Sequence, residues 1–136
     1  MKKSLFAVAA LMATGVAFAQ ANDTLKKIKD SGTVTMGVRE SSGALSYTLG
    51  DGKYVGFHVD VCARALADIQ KSLGMAKLEV KYQPVTSQNR IPLVQNGTVD
   101  IECGSTTNNA TRLKDVAFAV TTYVEEVRIA VKANSG

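Results

Sequence analysis

Apolar residues recur at intervals of three and four at Val59, Cys62, Leu66, Ile69 and Leu73, while Asp60, Arg64, Asp68 and Lys71 fill other positions and Gly74 follows. That spacing predicts a helix over residues 59–73 with one apolar stripe. Such a stripe must be buried against a second layer. Short apolar runs of strand length supply one, at Thr33–Val38 before the helix and at residues 78–82 and 99–103 after it. In the second run Leu78, Val80 and Tyr82 alternate, which places them on one face of a strand. A second helix is expected over residues 89–95, where Pro92 is tolerated only in the first turn, whose N–H groups lack intrahelical partners. Strands alternating with helices predict an α/β fold with a parallel sheet.

The remaining segments read as shorter pieces. Asn22, Asp23 and Thr24 offer capping groups for a short helix with Leu25 and Ile28 inward and Gly32 just past its end. Residues 40–52 are rich in Ser and Gly, and Asp51-Gly52 is a hairpin-type turn leading to a short strand at 54–57. After a polar loop at 104–110, a helical turn is expected around Arg112, then strands at 116–120 and 127–131.

The first 19 residues have the build of an export signal: Lys2 and Lys3, an apolar run too short for a membrane span, then Ala17-Phe18-Ala19. Cleavage is expected after Ala19. Without Lys2 and Lys3 the basic count falls from 16 to 14 against 12 acids, about +2. So small an excess gives little motive for binding nucleic acid, and no such partner is expected. In an oxidising compartment Cys62 and Cys103 have three open fates: a mutual disulfide, buried thiols, or a cysteine without its partner.

In an open parallel sheet, ligands bind beyond the carboxyl ends of the strands. Three polar segments fall there: Val38-Arg39-Glu40, Thr86-Ser87-Gln88-Asn89-Arg90, and residues 104–109. Arg39, Arg90 and Arg112 each carry a fixed charge and a planar fork of donors suited to a carboxylate. Ser87 and Arg90 lie at a helix start, Gly104 permits close backbone approach, and Ser105 and Thr107 add hydroxyls. The bland reading of each is a solvated charge or a cap: Ser87 capping a helix, Thr111 the turn before Arg112. No lysine follows Gly104 as a phosphate loop would need, and a single histidine, His58, excludes a histidine metal cluster. No metal or cofactor is expected.

The strings GVRESSGALSY, YVGFHVDVCARALADI, TSQNRIPLVQNGTVDIECGSTTNNATR and VAFAVTTY resemble the solute-binding proteins of polar amino-acid ABC transporters, in the glutamate/aspartate branch. His58 stands where that family usually has an acid, and Leu66 where a smaller residue is usual. The resemblance implies a periplasmic-binding-protein type II fold with two α/β lobes that close on the ligand. It implies a monomeric periplasmic receptor for L-glutamate or L-aspartate that serves inner-membrane ABC permease subunits and performs no reaction. By the same resemblance Arg112 holds the ligand α-carboxylate with Thr107 assisting, Ser105 lies near the α-amino group, and Arg39, Ser87 and Arg90 read the side-chain carboxylate.

On that reading, residues 20–131 are the first lobe, residues 132–136 begin the crossover, and the second lobe is missing. Two other functions share the fold: an exported dehydratase, for which Glu40 and Glu102 are the candidate acids or bases, and the sensory domain of a membrane receptor.

Overall fold

The structure, a computed structural model, describes residues 23–134. The expected leader and its cleavage site lie outside the described residues. Helix α1, Thr24–Ser31, is capped by Asp23, whose side chain accepts from the Lys26 N–H, and it ends at Gly32 in the left-handed conformation with φ 68°. Strand β1, Thr33–Val38, follows. A hairpin of β2, Tyr47–Gly50, and β3, Lys53–Val55, leads into α2, Phe57–Ser72. Then come β4, Glu79–Pro84, α3, Arg90–Gln95, and β5, Ile101–Glu102.

The main sheet is parallel with strand order β4-β1-β5. Register runs from Thr33 opposite Glu79 to Val38 opposite Pro84 on one side, with Met36 opposite Ile101 and Gly37 opposite Glu102 on the other. A strand flanked on both sides and covered by helices is expected to be continuously apolar. Val34, Met36 and Val38 of β1 are accordingly fully buried, and they pack with Ile28 of α1 and Val59 and Leu66 of α2. Asp100 closes the start of β5: its carboxylate accepts from the Thr35 N–H at 2.8 Å and from Lys27 Nζ at 2.8 Å.

Several expectations need correction. Leu25 does not point inward but is 49% exposed. Leu78 and Val80 pack against the core, and Tyr82 shares their face, lining a shallow groove with Ala63, Leu66 and Ala67 of α2 while its ring lies against Tyr54 with centroids 5.6 Å apart. The third strand shrinks to Ile101–Glu102, although Val99 and Cys103 on either side are buried. Residues 47–50, taken as loop, are a strand, and the following strand is shifted to Lys53–Val55.

Residues 116–120 and 127–131 form no strand: neither segment pairs with any other among the described residues. Strand geometry is held by a neighbour that takes up the backbone N–H and C=O groups. Here Val120, Val127 and Ile129 are 85%, 99% and 88% exposed.

Candidate functional site

Because β4, β1 and β5 are parallel, their carboxyl ends share one rim, and each opens into a polar segment. Arg39 follows Val38 directly. Its backbone is clamped by the fully buried Ser46, whose Oγ accepts from Arg39 N at 2.9 Å and donates to Arg39 O at 3.2 Å. The guanidinium is then fixed by two neutral groups: Nε donates to Ser42 Oγ at 3.0 Å and Nη1 to Val85 O at 3.1 Å. Ser42 Oγ lies 3.0 Å from Ser105 Oγ, which joins the first polar segment to the third.

Arg90 opens α3 and is buried, 6% exposed. Its nearest acid is Glu102 in β5, with Nη1 4.0 Å from Oε1, too far for a hydrogen bond. Burial holds the Arg90 guanidinium below its ordinary range, Glu102 works against that, and the positive charges of Arg112 and Arg39 add to it. The three arginines therefore feel one another at the same rim. Arg112 is oriented by Thr107, whose backbone carbonyl accepts from Nη1 at 2.8 Å, and its own N–H is held by Asn109 Oδ1 at 2.9 Å. Among the described residues neither Arg39 nor Arg112 forms an ion pair, so the cluster keeps its charge for a ligand.

Ser87 lies exposed in the turn before α3 and makes no hydrogen bond among the described residues. It does not cap the helix; Thr86 and Asn89 satisfy each other there, through Thr86 N to Asn89 Oδ1 at 2.7 Å and Asn89 N to Thr86 Oγ1 at 3.2 Å. Thr111 makes no side-chain cap either, because Asn109 takes that place. Of the six residues singled out from the sequence, Arg39, Arg90, Ser105, Thr107 and Arg112 are thus linked by bonds or by charge, and Ser87 stands free at the rim.

One group went unrecognised, and a second was named only for another role. Ser42 lies three residues beyond Arg39, and a hydroxyl at that spacing in a tight loop was the available signal. Glu102 enters the sequence reading only as a candidate acid or base for a dehydratase, although a charged residue between Ile101 and Cys103 is itself unusual.

The loop that carries Ser105 and Thr107 is tied to α2 twice. Cys62 and Cys103 form a disulfide with Cα atoms 6.3 Å apart, which settles the fate of both cysteines. One turn earlier on α2, His58 Nδ1 donates to Gly104 O at 2.5 Å, leaving Nε2 to accept from Thr122 Oγ1 at 2.9 Å. Gly104 is buried, and a methyl group on it would lie 2.4 Å from Arg39 Cγ and 2.4 Å from Glu102 Oε1. Beside this cluster an open hollow of about 290 Å³ is walled by Ala44, Leu45, Phe57 and Tyr123.

The model of the bacterial extracellular solute-binding proteins, family 3, matches residues 34–136. The chain belongs to that family. It is 48% identical over 127 residues to the L-glutamate/L-aspartate-binding protein of Pseudomonas aeruginosa, a match that covers 92% of this chain and 42% of that protein. It is 43% identical over 139 residues to the glutamate/aspartate import solute-binding protein of Escherichia coli K12, covering 97% of this chain and 46% of the relative. In structure it is similar to an ancestral cationic amino-acid solute-binding protein, with TM-score 0.55 and 34% identity over 67% of this chain and 37% of that one. The chain therefore has the type II periplasmic-binding fold and spans less than half the length of these relatives.

Proposed function

We propose that the chain is the first lobe of a two-lobed periplasmic receptor that captures L-glutamate or L-aspartate and delivers it to an inner-membrane ABC permease. What carries the reading is the gathering of Arg39, Arg90 and Arg112 at one rim, two of them anchored by hydroxyls and carbonyls rather than by acids. A dicarboxylate with one ammonium needs two cationic poles, and each carboxylate taken out of water must be paired. Arg112, held by Thr107, receives the α-carboxylate, with Ser105 near the α-amino group. Arg39, Ser87 and Arg90 receive the side-chain carboxylate.

The exported leader and the periplasmic location belong to the same proposal, as do the monomeric state and the boundary of the lobe at about residue 131. So does the absence of a reaction. Binding arrests the ligand between lobes, and nothing in this reading transforms it.

Calorimetric titration of the two-lobed protein tests the assignment. Glutamate and aspartate are expected to bind and lysine not to. Failure of both dicarboxylates to bind, or turnover of prephenate or arogenate by the same protein, would remove the receptor reading.

A further inference from the structure

Four buried polar atoms at the rim lack a hydrogen-bond partner among the described residues: Arg90 Nε and Nη1, Glu102 Oε1 and Thr106 Oγ1. They come from three successive pieces of the fold, the start of α3, the end of β5 and the loop after it. Glu102 is 12% exposed at its side chain and Arg90 7%. Polar atoms so deeply buried are normally satisfied, so an unfilled group of them marks where another molecule completes the set.

The charged and titratable groups that face Glu102 are Arg90 from α3, Arg39 from the segment after β1 and His58 from α2, while Arg112 acts on Arg90. His58 is bonded through both ring nitrogens. The Thr106 hydroxyl stands close enough to favour a charged Glu102 without reaching hydrogen-bond geometry. Glu102 is therefore the negative charge in direct range of Arg90, and the two are not bonded.

An anionic group that settles on the free N–H groups of Arg90 changes that balance. It brings a second negative charge beside Glu102 in a poorly hydrated place, where two carboxylates sharing a site do not both stay ionised at low cost. We propose that Glu102 is coupled to the ligand as a proton acceptor: an anionic group bound at Arg90 drives one proton from solvent onto the Glu102 carboxylate. An O–H bond forms on Glu102 as the bond holding that proton in hydronium or buffer acid breaks and releases water or the buffer base; no bond of the ligand or of the protein is cleaved. The new O–H gives the carboxyl a donor to turn toward the ligand anion. This deepens the receptor proposal and rests on it.

Titration of the two-lobed protein with glutamate in buffers of differing ionisation enthalpy, from about pH 5.5 to about pH 8, counts the protons exchanged. In that window the ligand's carboxyls stay ionised, and its ammonium stays protonated because the adjacent free carboxylate holds the proton more strongly than a peptide terminus does. Uptake of up to about one proton is expected, with affinity falling by up to about tenfold per pH unit as pH rises. In Glu102→Gln both the uptake and the slope should vanish. Glutamate bound with no proton exchange at any pH overturns the coupling and leaves the receptor reading intact, whereas absence of binding defeats the receptor reading first. Uptake that persists unchanged in Glu102→Gln also overturns it, because the proton then goes elsewhere, His58 being the nearest alternative. If that variant does not fold, infrared difference spectra of the unmodified protein decide: the ligand must raise a protonated-carboxyl band, and uptake without that band overturns the proposal.

Discussion

Burial pushes the Glu102 carboxyl above the ordinary carboxylate range, against the Thr106 hydroxyl, the charges of Arg90 and Arg39, and the nearby His58. A folded-state value above the unfolded one means that protonation favours the fold. The associated stability is complete below the unfolded value and is lost as pH rises through the folded one. Glu102→Gln removes the ionisation, so thermal melting should show the variant gaining on the unmodified protein as pH rises from about 4 toward neutrality. A constant difference across that range would mean that Glu102 is not held against its charge. Gly104 gives a second test at this scale. With Arg39 Cγ and Glu102 Oε1 each 2.4 Å from where a methyl would sit, Gly104→Ala must displace the Arg39 side chain or the loop. Glutamate affinity is expected to fall by at least about tenfold, roughly 1.4 kcal/mol, in a calorimetric titration. Unchanged affinity would show that the position of Arg39 does not matter to the ligand.

At the scale of elements, the disulfide joins α2 to the end of β5 across 41 residues. Chain-entropy reasoning gives such a closure about 4 kcal/mol. Replacing both cysteines, Cys62→Ala with Cys103→Ala, should lower the denaturation free energy by an amount of that order in urea melts. It should also loosen the loop that carries Ser105 and Thr107, leaving His58 as its remaining tie to α2. A change within about 0.5 kcal/mol would show that the bridge merely decorates contacts already sufficient. The helix bearing Cys62 was legible in the sequence because its stripe repeats over four turns and Val59 and Leu66 are buried as that stripe requires. β1 was legible because Val34, Met36 and Val38, which alternate with Thr33, Thr35 and Gly37, all lie on the covered face. Leu25 misled because an apolar side chain at the right period still needs something to cover it. The three arginines could be found since each follows a strand run, and parallel register does the rest. Ser42 could not, nor could the place of Glu102 beside Arg90, because both depend on pairings that local pattern does not record.

For the molecule as a whole, one rim of the sheet and one long segment are left uncovered together. Beyond the helical turn at Arg112–Lys114 the described chain forms no strand pairing, and Val120, Val124, Val127, Ile129 and Val131 are between 71% and 99% exposed. Apolar side chains repeated along an extended segment are what a second layer of structure would bury. The guanidiniums at the rim face the same deficit in electrostatic form: open to water, each contributes less than it would in a closed site of low dielectric. The isolated chain is therefore expected to bind glutamate far more weakly than a protein that carries both lobes. Each charge-assisted hydrogen bond to a missing partner forfeits about 1.5–3 kcal/mol, so loss of two is a weakening of roughly 100-fold or more. Parallel titrations of the chain alone and of the two-lobed protein measure the ratio. Equal affinities would mean that the arginine rim grips the ligand by itself and that closure adds nothing to capture.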